Sequence, residues 1–505
     1  MRMRKVLLVF MCVLCGVIYA QDDNKDIFVK IKQDHNEKQF FKSVFENPAL
    51  MPVFGKYKFS KIKATYSKLK DEAYLIQKPN QEENVQLSAS SFFPTDSVTT
   101  LWGKVSYQNL KQRNVVLNES IDYDLLYPYL TADTVGGDLN NEKYYFSGGY
   151  AKTLGKVNLG AFLSYRATLA SRSRDPRVRN VSSDLELKAG IAFNDFIGSY
   201  VGAYANYQKY SQSNSLRFFS IISNPVVYHL NGLGYFNSLL RGSRLDAFYE
   251  GSGYGAGFQF SPTKNQDIWF TLDYKQLEIG KFITEELSTQ SSVLTNRNLD
   301  VHLLKLFKRE NSSTLGVKLS YRSSEKVGVE SILSARNGIG LQILAQNENY
   351  LLKNNTYELS GLYLKEKRNS LLSVTPYVNY QQYNEDYLLV RSFQYFDYLS
   401  FGVNSHYLNK INNKTIFSCS LNLKYKSVLE GSSLLRNDSE ISLSNMVASN
   451  FNFLSSGFSQ ADINLKIDYK LKEDLNLFWS VNSNLLLFEE NRLNYYYSIS
   501  TGISF

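Results

Sequence analysis

Unbroken two-residue alternation, sustained over segments of about ten residues or more, constrains this 505-residue chain more than any other feature. In residues 494–505, Tyr495, Tyr497, Ile499, Thr501, Ile503 and Phe505 fall on one face of a strand, and Asn494, Ser498, Ser500, Gly502 and Ser504 on the other. Phe417, Cys419, Leu421, Leu423 and Tyr425 alternate in the same way with Ser418, Ser420, Asn422, Lys424 and Lys426. Ile463, Leu465, Ile467, Tyr469 and Leu471 alternate with Asn464, Lys466 and Asp468. Soluble strands cluster near five or six residues, whereas about ten tilted residues cross a bilayer. A lysine facing acyl chains near the midplane would cost roughly 2–4 kcal/mol. Lys424, Lys426, Lys466 and Asp468 are therefore expected to face a wet interior. Past residue 20 the sequence has no apolar run long enough for a spanning helix, so a membrane-integral form must be a closed barrel.

The connections point the same way. Short turns expected at 153–156, 194–196, 261–266, 309–313, 367–370, 409–414 and 472–474 alternate with long segments at 111–142, 169–182, 211–249, 278–295, 325–353 and 429–460. Short periplasmic turns and long extracellular loops are the pattern of a transmembrane, antiparallel, up-and-down β-barrel in an all-β chain. Counting from a first strand near Tyr57 gives about 18 strands, within a range of roughly 16 to 20. Thirty-seven tyrosines and 32 phenylalanines supply rings for interfacial girdles.

The chain divides into three parts. Arg2, Arg4 and Lys5 precede an apolar run from Val6 to Ile18, so residues 1–20 read as a secretory signal peptide. Residues 21–56 do not alternate and read as an N-terminal periplasmic segment or a plug in the lumen; residues 57–505 are the barrel. Met11 and Leu14 before Cys12 and Cys15 are larger than lipid attachment normally requires. Without residues 1–20, Cys419 is the only cysteine, which excludes an internal disulfide. Loss of the three basic residues lowers the net charge from +9 to +6, too little to argue for nucleic acid.

Candidate chemistry is sparse. Arg166, Arg172, Arg174, Arg177 and Arg179 cluster in one expected outer loop, where guanidinium groups could grip phosphate or carboxylate; the competing reading is a solvated loop paired with Asp175 and Asp184. Gly251 to Gly257 has glycine spacing like a phosphate loop but lacks the strand-then-helix context, and reads as a strand entry. His35, His229, His302 and His406 are the only histidines. His406 beside Ser405 leaves an embedded hydrolase as a distant alternative to a lumen histidine. The expectation is no enzyme, with no catalytic residues, cofactor or metal site.

The terminal strand, with Tyr495, Tyr497, Ile499, Ile503 and Phe505, resembles the closing strand of bacterial outer-membrane barrels, whose final aromatic is read by the barrel-assembly machinery. Leu125-Leu-Tyr-Pro-Tyr129, Ala132 to Asp138, Tyr145 to Tyr150, Ser164 to Ala167, Arg174 to Asn180 and Ser183-Asp-Leu185 resemble an uncharacterised family of Bacteroidota outer-membrane barrels across the whole chain. That resemblance implies fold and outer-membrane location, and it carries no functional residue. A pore or substrate channel is the leading expectation. The alternatives are a fatty-acid-transporter-like carrier of hydrophobic compounds, or an accessory barrel partnering a surface receptor complex. Expected partners are outer-membrane lipid and lipopolysaccharide and the assembly machinery, with surface lipoproteins or an energised receptor as further candidates.

Overall fold

The computed structural model describes residues 26–505 except 197–198, 220–224, 243–245, 263–267, 285–287, 310–311, 335–340, 437–439 and 473. The expected signal at 1–20 lies outside the described residues. Eighteen strands form one closed antiparallel barrel in which each pairs with its sequence neighbours. The seam joins the first strand, Phe59–Lys70, to the last, Leu493–Ser504, in register from Lys61 opposite Ser504 to Lys70 opposite Tyr495. Beyond it, the Phe505 and Ser60 backbones exchange bonds of 2.8 and 2.9 Å. Among the described residues the barrel sheet has no unpaired edge, so its strand backbones can be satisfied without solvent.

The alternation sorts side chains onto two faces. Leu163, Leu187, Tyr254, Leu319, Phe401, Leu465 and Ile499 point outward and are exposed. Their chain neighbours point in, as Thr65 Oγ1 and Ser500 Oγ show by meeting across the seam at 2.9 Å. Greasy outside and polar inside is the inverse of a soluble barrel. The rings of Tyr107 and Tyr144, Tyr207 and Tyr254, Tyr321 and Tyr357, and Phe401 and Tyr425 pair across strands on the outer face at 5.0–5.5 Å. Beyond them towards the loop end lies the charged row Arg297, Glu325 and Lys353.

Short connections gather at one end of the barrel, as at 95–98, 155–156, 367–369 and 411–414. The other end departs from expectation. Segments 278–295 and 325–353 are mostly strand: Ile268–Thr284 pairs with Ser288–Arg309 as far as Thr284 opposite Ser288, and Ile343–Glu366 runs for 24 residues. The expected loop 169–182 shrinks to 172–176, because Val157–Ser171 and Arg177–Phe196 hold register to Ser171 opposite Arg179. Gly251 to Gly257 lies inside the strand Asp246–Pro262 rather than at its entry, with all four glycines turned inward. A side chain at Gly257 would overlap the Tyr204 ring.

Candidate functional site

The enclosed lumen is the candidate site, and both of its ends are occupied by the chain itself. At the turn end, the helix Ile27–Phe41 and the short helical turns Lys42–Glu46, Pro48–Leu50 and Met51–Phe54 run across the inside of the wall. Ile27, Phe28 and Ile31 pack on Leu371, Leu408 and Ile416, and Phe40 packs on Leu304, Leu306 and Leu362. Lys32 pairs with Glu366 at 2.5 Å, Asp26 with Lys410, and Glu46 with Lys188 at 2.8 Å. Despite partial burial, the Lys410 ammonium and the Phe28 amide hold the Asp26 carboxyl below the ordinary range.

The tightest seat is at Asn47-Pro48-Ala49. Asn47 is fully buried; its amide donates to Ile191 O at 3.2 Å and Ala203 O at 3.4 Å, and its Oδ1 accepts from Ala49 N at 2.9 Å. Three inward glycines make room. A Cβ at Gly160 would press on the Pro48 and Ala49 backbone, one at Gly190 would meet Asn47 Oδ1, and one at Gly202 would lie 2.7 Å from Asn47 Nδ2. Glycine is required at Gly160 by close approach of another backbone, and at Gly190 and Gly202 by the buried Asn47 side chain.

At the loop end, residues 116–136 fold inward and are stitched to the wall. Asn180 and Asn214 donate to Glu119 O at 2.7 and 2.6 Å, Tyr249 to Tyr129 O at 2.9 Å, and Lys281 to Leu130 O at 2.9 Å. Tyr127 and Tyr350 both donate to Glu385, at 2.6 and 2.9 Å. Leu117, Leu126 and Leu130 share one apolar cluster with Leu230, Leu240, Leu443 and Met446, so three loop segments bury one another inside the mouth. The cost of burying so much irregular backbone is met by those side-chain donors.

The five arginines expected to face outside anions are dispersed by this packing. Arg172 is buried: it donates to Glu119 at 2.8 Å, Asp133 at 2.5 Å and Pro176 O at 2.8 Å, leaving nothing for an external ligand. Burial, then the neighbouring Asp133 carboxylate, raises the Glu119 carboxyl well above its usual range. Burial also opposes ionisation of Asp133, but Glu119 and Arg172 outweigh it and hold that carboxyl low. One guanidinium thus stands between two buried carboxyls whose ionisations are pushed in opposite directions. Arg166 points into the lumen, forked onto Asp122 at 2.8–3.1 Å and reaching Asp184 at 3.2 Å. Arg177 pairs with Asp175 at 3.1 Å and lies 4.0 Å over the Phe219 ring. Arg174 is exposed in the short connection, and Arg179, opposite Ser171, is exposed on the neighbouring strand.

Within the lumen the charges are unevenly matched. On one arc acids and bases pair: Lys275 with Asp273, and Arg322 with Asp300 and Glu358. Lys466 and Asp468 point inward on the other arc and meet at 2.6 Å. Lys426 lies 3.5 Å over the Tyr398 ring, and Lys424 5.5 Å over Phe458. Lys63, Lys104 and Lys143 also point inward, and among the described residues no carboxylate bonds to them. Sequence reasoning passed over these three, although Ile62, Ala64 and Tyr66 already placed Lys63 on the wet face.

His406 faces inward and bonds Ser420 at 2.9 Å, not Ser405; His302 makes the same contact with Ser320 at 2.9 Å.

Residues 48–505 match the model of a family of unknown function, DUF6850. No curated protein matches. Among solved structures, the ferric preacinetobactin receptor BauA of Acinetobacter baumannii is 9% identical over 89% of this chain and 80% of its own, with a TM-score of 0.38. The siderophore receptor PiuA of the same organism is 8% identical over 89% and 82%, at 0.39. The ferric-catecholate import receptor Fiu of E. coli K12 is 8% identical over 88% and 81%, at 0.38.

Proposed function

The chain belongs to that family of unknown function, DUF6850, and from that premise we propose that it is an integral outer-membrane channel, closed at rest and gated by its own N-terminal segment. One observation carries the reading: a closed barrel whose outward rows are apolar and ring-banded while its inward rows carry lysines and carboxylates. Only a closed barrel can cross a bilayer with strands, and 18 strands enclose a lumen wide enough for water and solute. The turn end would face the periplasm. Residues 1–20 would direct export, and Tyr495, Tyr497, Ile499, Ile503 and Phe505 would present the closing strand to the assembly machinery. Lipid and lipopolysaccharide would cover the outward face, and the exposed Arg174 and Arg179 are the members of the arginine set still placed to meet lipopolysaccharide phosphates.

Gating is supported by the seat of the N-terminal segment, which is held against the wall by noncovalent contacts and tethered through its own chain to Phe59, so it can swing out as a unit. A second reading is favoured by the occupation of both ends: an accessory barrel whose lumen never opens. Planar-bilayer recording separates the two. Ala49 and Ala192 share one small buried cluster, so an Ala49→Cys, Ala192→Cys pair can lock the segment to the wall. The full chain is expected to open intermittently, the oxidised pair to stay silent and a reductant to restore opening. A full-length protein that never conducts under any applied voltage would refute the channel and favour the accessory barrel.

A further inference from the structure

We propose that Lys68, Lys70, Lys111 and Arg113 form a binding site for the phosphorylated headgroup of a lipopolysaccharide, on the outer wall of the barrel at its loop end. The inference rests on the outward orientation of that end in the reading above, and it gives the covering lipid a defined seat. The cations come from Phe59–Lys70 and Thr99–Val115, with Gln81–Pro94 between them. Register sets them in a grid: Lys68, Glu83 and Lys111 form one row, and Lys70, Gln81 and Arg113 the next. Two strand spacings separate the cations across a row by roughly 9–10 Å, and two residues separate the rows by about 7 Å. Long flexible stems let all four converge on one phosphate over the centre. The grid faces lipid, since Lys68 follows Tyr66 on its face, Glu83 precedes Val85, and Lys111 follows Val105 and Tyr107; Tyr66, Val85 and Val105 are exposed. The cations begin where the greasy wall ends.

Charge and position together select the occupant. The grid holds four cations and one carboxylate, so Glu83 can compensate only one of them; it lies 3.5 Å from Lys68 and 3.9 Å from Arg113 and draws both over the grid. The acids at the rim have other donors: Glu72 accepts from Leu493 N at 2.9 Å, Asp138 from Asn114 N at 3.2 Å, and Glu142 from the Tyr144 hydroxyl at 3.0 Å. Further round the wall the outward face is different in kind. Arg297 and Lys353 are both drawn onto Glu325, at 3.0 and 3.2 Å, and Asp397 stands directly opposite Glu430. Surplus positive charge at the edge of the acyl region attracts anionic headgroups to this one sector. Arg113 offers a guanidinium fork to two phosphate oxygens, Gln81 an amide donor beside it, and the lysines further charge. A soluble phosphate would gain nothing from the apolar rows below, whereas a phosphorylated lipid uses both.

The test titrates delipidated full-length protein in detergent with a fluorescent lipopolysaccharide. Replacing Lys70 and Arg113 together by glutamine should weaken binding about 25-fold, at about five-fold per cation, and Glu83→Gln should tighten it about five-fold. Lys353→Gln, elsewhere on the outward face, is the control and should leave the affinity unchanged. Heat-modifiable gel mobility confirms a folded barrel in each variant. Enzymatically dephosphorylated lipopolysaccharide should bind the native chain no better than the intact lipid binds the glutamine pair. Equal affinity of the glutamine pair and the native chain, equal affinity for the two lipids, weaker binding by Glu83→Gln, or displacement by inorganic phosphate at constant ionic strength would each overturn the site. The orientation is read separately, by a membrane-impermeant maleimide on intact cells carrying Leu389→Cys in a Cys419→Ser background, because Leu389 is exposed at the loop end. Labelling only after lysis would overturn the proposal at its premise. A silent bilayer with the affinity difference intact would refute the channel and leave the site standing; a conducting channel without that difference would do the reverse.

Discussion

Gly160→Ala tests the seat of the N-terminal segment at its least compliant point. The new Cβ would lie 2.5 Å from Pro48 O and closer still to two other backbone atoms, none of which can swing aside like a side-chain tip. The molecule has two responses. It can keep the segment and strain the wall, an overpacking cost of about 1–3 kcal/mol. Alternatively it can release the segment, losing two Asn47 hydrogen bonds at about 1 kcal/mol each and the burial of Leu50 at about 1.5–3 kcal/mol. The cheaper response sets the outcome, so the seated state weakens by about 1–3 kcal/mol and the released fraction rises roughly 5- to 150-fold. Leu50→Cys in a Cys419→Ser background reports this through its rate of modification by a charged maleimide, since Leu50 is buried when seated. Gly148→Ala is the control, because its Cβ would meet nothing nearer than Trp102 O at 3.9 Å. If modification in Gly160→Ala is no faster than in the control, the segment is not held by this cradle and the gating argument loses its footing.

Three further outcomes are expected. Arg172→Ala leaves Glu119 and Asp133 buried without their cation, a loss of about 3–5 kcal/mol, and limited proteolysis should then cut within 116–136 while the barrel stays heat-modifiable. The raised Glu119 carboxyl stabilises the folded loop end fully below its unfolded value near 4.5, and that contribution fades as pH climbs from there toward the raised value. The lowered Asp133 carboxyl works oppositely, its contribution being lost as pH falls below about 3.8. Glu119→Gln, which cannot ionise, should therefore flatten the alkaline loss of protease resistance and leave the acid loss unchanged; an identical alkaline profile would contradict this. Leu163→Arg, on the exposed outward row, should destabilise the inserted barrel by roughly 2–4 kcal/mol in urea titrations in bilayers, and no change would argue against a lipid-facing wall.

The barrel was legible because its signal is local. Alternation from Phe417 to Tyr425 needs only its own residues to declare which side is wet, and a two-residue period leaves one choice of face. The loop end was illegible because its order is set by distant partners. Arg172 looked like a solvated loop charge, and nothing near it in sequence says that Glu119 and Asp133 come to meet it. The segments at 278–295 and 325–353 read as loops in sequence because the lower pattern is inverted there: Ile279 and Ile283 turn inward onto the inturned loops, while Glu325 and Lys353 stand outward. Gly160, Gly190 and Gly202 carry a readable clue, inward glycines on three consecutive strands, but the segment they accommodate lies more than a hundred residues away.

The seam between Phe59–Lys70 and Leu493–Ser504 dictates an order of assembly. Residues 26–58 lead directly into one side of that seam and lie within the ring it completes. They are most simply wrapped while the cylinder is still an open, curling sheet, so that the segment is already seated when the last pair of strands joins. The gate is thus enclosed by the act of closure, and whatever machine performs the last pairing step also decides whether the newborn barrel emerges shut.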